Sequence, residues 1–224
     1  MPYLLTVLNV PLPIYFMGIS FFVSVVIYFS RKAPFFLKIF PPFLFITLLV
    51  ELFGFYLSSK GSDTRELYNF FTVFEFCFYL YVLSCIVVRE RAKKIIRLVL
   101  IIYLFITLAN ILFFQRNTFH SITYSLGCLL IVASAIYYFL ELFQTAKFIR
   151  LVNQPSFWIC SGLLFYYCCS FPLFGITGFL STIPKFLLNN IRTILAVINI
   201  LLYSLFAIAF LCQFKIAKHD VSSQ

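Results

Sequence analysis

The sequence predicts an all-α integral membrane protein. It reads as a bundle of seven transmembrane helices, with the N-terminus outside and the C-terminus cytoplasmic. Three observations carry that reading: the composition, the spacing of the apolar runs, and the alternation of basic residues from one side to the other. Of 224 residues, 63% are hydrophobic and 21% aromatic, only 11% are charged, and the mean hydropathy is +1.04. A soluble domain of this size needs a largely polar surface, which this composition does not supply. Residues 1–224 therefore read as a single membrane domain with lipid as its main solvent.

The spans follow in order. A helix needs roughly 17 to 25 apolar residues to cross the hydrocarbon. Runs of that kind lie at about 11–29, 39–58, 67–88, 97–114, 120–141, 156–178 and 187–212. The first has no basic n-region and runs on to Arg31 and Lys32, as an uncleaved span would. Pro41 and Pro42 open the second, where proline is tolerated in a first turn. Short, charged connectors separate the next ones, among them "SKGSDTRE" and "RERAKK". Trp158 opens the sixth as an interface anchor, and Pro172 with Gly175 and Gly178 predicts a kink or loosening there. Gly178, Ser181 and Pro184 mark the turn into the seventh.

Twelve of the 17 basic residues fall on connectors one, three and five or on the tail. The other five are Lys60, Arg65, Arg116, Lys185 and Arg192. The positive-inside rule then places the N-terminus outside, and an odd number of spans agrees. The same scatter argues against nucleic acid as the target of the +10 net charge. The seven cysteines sit in or beside apolar runs without a C-x-x-C, so they read as reduced core thiols.

Charged and amide side chains inside spans are the candidate functional residues. An ionised Glu near mid-span costs about 3 kcal/mol on insertion scales, so it should face protein or water. Glu51 and Glu75 each interrupt an apolar run, at matched depths of roughly 10–14 Å below the outer boundary. Each belongs to a helical face: Thr47, Glu51, Gly54 and Ser58 on one span, Asn69, Thr72, Glu75 and Tyr79 on the next. Tyr103, Thr107 and Asn110 form a face on span four, and His120, Tyr124 and Gly127 one on span five. Span seven carries Asn189, Arg192, Asn199 and Tyr203. The expectation is an outer-half pocket lined by Glu51, Glu75, Asn69, Tyr79, Asn110, Arg192 and Asn199, with Arg192 as counter-charge. Taken singly, the Asn, Thr and Ser positions read as interhelical hydrogen-bonding glue.

Several chemistries lack their residues. There is no lysine inside the last span for a retinal Schiff base, no histidine pair for haem, no H-E-x-x-H and no G-x-S-x-G. No cofactor or metal is expected. Four stretches, "ELFGFYL", "LYNFFTVFEFCFYLYVL", "FWICSGLLFYY" and "VINILLYSLFAIAF", resemble in order and spacing a group of small uncharacterised bacterial seven-span membrane proteins. Those proteins are similar to the seven-span sensory input regions of histidine kinases. The resemblance implies a bacterial inner-membrane protein acting through a separate cytoplasmic partner such as a kinase, and the externally open polar pocket would bind a small ligand or respond to protonation. A small-solute or proton-coupled transporter using the two glutamates is the alternative. A lipid-modifying enzyme is the third reading.

Overall fold

The computed structural model describes residues 6–7, 10–28, 33–114, 120–144, 151–179 and 185–222. The chain is all-α apart from two two-residue strands, β1 (Thr6–Val7) and β2 (Val10–Pro11), paired antiparallel. Helices α1 (Leu12–Tyr28), α2 (Phe35–Lys38), α3 (Phe40–Ser59) and α4 (Arg65–Ile86) follow. Next come α5 (Glu90–Ala109), which continues as a π turn over Asn110–Phe114, and α6 (Ser121–Gln144). A 3-10 turn (Leu151–Asn153) precedes α7 (Pro155–Phe179) and α8 (Lys185–Ser222). Among the described residues, six helices are long and apolar enough to cross a membrane, and α1 is a shorter apolar helix. This is the helix content of a multi-pass membrane protein.

Two boundaries differ from the sequence reading. The stretch "RERAKK" is largely not a connector: α5 starts at Glu90, and only Val87–Arg89 separates it from α4. Good helix formers and a Glu90–Lys93 ion pair of 2.7 Å at i,i+3 let two charged turns extend the apolar helix. At the other end of the chain, α8 runs to Ser222, beyond its apolar stretch. Pro172 lies inside α7, which continues through it as one helix. Arg31, Lys32, Arg116, Lys147 and Arg150, and Ser181 and Pro184 of the expected turn, lie outside the described residues.

The chain groups into two compact units, residues 1–52, 146–166 and 185–224, and residues 53–145 and 167–184. In the first, α1 packs along α8. Phe40 meets Phe206 and Phe210 edge-on at 5.4 and 5.6 Å, and Gly162 leaves the room that Leu202 and Leu205 fill. Trp158 donates its indole N–H to the Val152 carbonyl (2.8 Å), tying the 3-10 turn to α7.

In the second unit α4 packs against both α5 and α6. Its core is an aromatic cluster in which Phe76 meets Tyr103, Tyr124 and Tyr167 at 5.2–5.8 Å. Gly127 of α6 makes that approach close: a Cβ there would lie 2.8 Å from both the Phe76 ring and the Tyr103 hydroxyl. The α3–α4 turn closes on Gly61, whose φ of 72° is the left-handed conformation glycine tolerates. Gly61 N–H bonds to Ser58 O and Ser62 N–H to Leu57 O, the paired bonds that end a helix in this way. Beyond the turn, Asp63 accepts the Arg65 backbone N–H (2.9 Å), and the bonded Arg65 guanidinium holds its carboxyl below the usual range.

Candidate functional site

The polar faces on spans three to five meet in the second unit, around His120. This residue stands immediately before α6, is fully buried, and its carbonyl accepts the Tyr124 N–H in the N-cap position. Its backbone N–H reaches the Asn69 Oδ1 of α4 at 3.3 Å. Its ring contacts two threonines: Nε2 lies 2.6 Å from Thr72 Oγ1 and Nδ1 lies 2.9 Å from Thr123 Oγ1. Asn110, at the start of the π turn, donates its Nδ2–H to the same Thr123 oxygen (3.3 Å). Single π turns in helices are frequent at functional sites.

The bonding directions follow from the donors available. The Thr72 hydroxyl lies 2.7 Å from the Tyr68 carbonyl, which can only accept, so its hydrogen points there. Thr72 Oγ1 is then the acceptor of Nε2–H, and Nδ1 accepts from the Thr123 hydroxyl. The result is a directed chain, Asn110 to Thr123 to His120 to Thr72 to the α4 backbone, through a neutral imidazole. The node can also hold an imidazolium. Thr123 can turn its hydrogen to the His120 carbonyl at 3.3 Å and accept from Nδ1 instead. Few side chains other than histidine can reverse one link of such a chain.

One turn deeper on the same faces lie Glu75, half-buried, and Tyr103, fully buried. Glu75 is within electrostatic reach of Tyr103 and of Cys128 on α6. Tyr79, one turn further on, is buried against Tyr167 at 6.0 Å. Asn69, Asn110, Glu75 and Tyr79 thus occupy one unit, and the first two share the His120 node. Glu51, Asn199 and Arg192 belong to the other unit, the first two half-buried and Arg192 exposed. The expected Glu51–Glu75–Arg192 grouping draws its members from both.

At the far end of α6 stands an acid that the sequence reading passed over. Glu141 is buried, and its carboxylate accepts two backbone N–H groups of the α4–α5 connector, Val88 at 2.8 Å and Arg89 at 2.7 Å. Arg89 also gives a side-chain bond to Gln144 Oε1 (2.8 Å). A carboxylate on backbone N–H groups is among the stronger hydrogen bonds available. The sequence signal was present: "FLELFQ" holds an acid at the end of an apolar run, as "LLVELF" and "VFEFCF" do within theirs.

Among the described residues no group of three His, Cys, Asp or Glu side chains could hold a metal. Compared with protein-family models, with curated proteins and with solved structures, the chain matches none.

Proposed function

We propose that this protein is a sensory membrane protein of a bacterial cytoplasmic membrane. It reads a proton or small polar ligand at the outer, His120 end of α4–α6 and answers at the cytoplasmic α4–α5 connector. The observation that carries the reading is that α6 is bonded to the same two neighbours at both its ends. His120 and Thr123 engage α4 and the end of α5, and Glu141 engages the connector between those two helices. From residue 120 to residue 141 the helix rises about 31 Å, the thickness of a bilayer core. A rigid helix fastened in this way transmits a change at one end to the other, provided the node has two bonding states. The reversible Thr123 link supplies them.

The positive-inside distribution puts the Glu141 end in the cytoplasm and the N-terminus outside. A separate cytoplasmic protein, such as a histidine kinase, receives the signal. The apolar layer between the two ends favours a sensor over a transporter. Phe76, Leu80, Leu83, Ile131 and Ala135 are fully buried there, beside the Tyr79 and Tyr138 rings, and among the described residues of this unit no carboxylate or histidine stands between Glu75 and Glu141 to relay a proton or cation.

The test uses sealed proteoliposomes in which the His120 side is acidified stepwise from about pH 8 to about pH 3, because burial disfavours the charged imidazole and moves its protonation below the range of an ordinary histidine. The reading predicts a changed rate of tryptic cleavage at Arg89 and Arg91, with proton entry no faster than in empty vesicles. Proton entry above that background would support the transporter instead. Unchanged cleavage under both acid and candidate ligands would remove the sensory reading.

A further inference from the structure

We propose that the first turns of α5 form a binding surface for an anionic phospholipid, with Arg91 and Lys94 as the headgroup contacts. Five basic residues crowd the start of this helix, but three are engaged. Arg89 bonds Gln144, Lys93 pairs with Glu90, and Arg97 reaches toward Ser84 Oγ at 3.5 Å. Arg91 and Lys94 are exposed and form no ion pair among the described residues. The nearest acids are committed as well, Glu90 to Lys93 and Glu141 to the connector N–H groups.

Helical spacing puts Arg91, Lys94, Ile95, Leu98, Ile102 and Phe105 on one face. The four apolar members are 48–68% exposed. On the opposite face Ala92, Ile96, Tyr103 and Thr107 are buried against the protein. The outward face therefore begins with two cations and continues as unbroken apolar surface for about 17 Å from Lys94 to Phe105. That sequence of charge and grease matches a phospholipid: phosphate at the cations, acyl chain along the helix. A soluble anion would use only the first part of it. Basic residues at such a position attract anionic lipid by about 1 kcal/mol each, about five-fold in partitioning.

The surface rests partly on the proposed orientation, which makes this end cytoplasmic. The test is independent of orientation. The full chain is reconstituted in nanodiscs of phosphatidylcholine with a minor fraction of phosphatidylglycerol, and co-released lipids are counted by native mass spectrometry. Phosphatidylglycerol should be enriched over its bulk fraction, and the enrichment should fall as salt rises. R91Q and K94Q should each lower it several-fold, and together return it to the bulk ratio. Lys215→Gln, an exposed charge on α8, should leave it unchanged. Unaltered melting of the variants in pure phosphatidylcholine shows that they fold. Bulk composition around the wild type, or enrichment that survives the double substitution, would overturn the proposal. So would its abolition by millimolar inorganic phosphate, which would mark a site for soluble anions.

Discussion

The Glu141 carboxylate on α6 accepts the backbone N–H of Arg89 at 2.7 Å, across 52 residues of sequence. With the companion bond to Val88, this fixes where α4 ends and α5 begins. Glu141→Gln keeps one acceptor oxygen and turns the other into a donor facing a donor. We expect a loss of about 1.5–3 kcal/mol, the range for hydrogen bonds to charged groups. Thermal unfolding in detergent measures it, and Glu90→Gln, whose pair is surface-exposed, should cost far less.

Thr72 and Thr123 make the two bonds to the His120 ring, so they should be coupled energetically through it. Thr72→Val and Thr123→Val keep shape while removing the hydroxyl. Each leaves a buried ring nitrogen without its partner, at about 1–3 kcal/mol. A double-mutant cycle should show a coupling of at least about 0.5 kcal/mol. Strict additivity would mean that the ring does not link them.

The glycines separate by what surrounds them. A Cβ at Gly127 meets Phe76 and Tyr103 at 2.8 Å, and one at Gly54 meets the Tyr68 hydroxyl at 2.5 Å. Gly127→Ala presses on ring atoms held by the aromatic cluster and should cost about 1–3 kcal/mol. Gly54→Ala meets the far end of one side chain and should cost less. At Gly18 nothing lies within 4 Å of the added carbon, so Gly18→Ala should be neutral or slightly stabilising. Melting temperatures of the three variants rank the order.

Orientation has its own test. A fluorescent protein fused after Ser222 should mature in the cytoplasm, and an alkaline phosphatase fused within Lys60–Asp63 should be active outside. The reverse pattern would place the Glu141 end outside.

The helices were legible because continuous apolar runs of membrane length have few other solutions. Charge hid the start of α5, since Glu90–Arg97 looks like a loop to a hydropathy reading yet is held in helix by its own pairs. The faces on α4, α5 and α6 were legible from spacing, one helix at a time. That Asn69 bonds His120 while Asn110 bonds its neighbour Thr123 depends on how the helices are rotated against each other, which periodicity does not specify. The π turn at Asn110 has no signature in "LANILFF". Glu141 escaped notice because its partners are backbone N–H groups, which carry no residue identity.

The central claim is that α6 couples the His120 node to the α4–α5 connector. Hydrogen exchange at the Val88 and Arg89 amides, compared between wild type and Thr72→Val in nanodiscs, tests it most directly. Thr72 touches neither amide, so coupling predicts faster exchange at both while the Leu80 and Leu83 amides in the core of α4 stay protected. Equal exchange at Val88 and Arg89 in a folded Thr72→Val protein would contradict it.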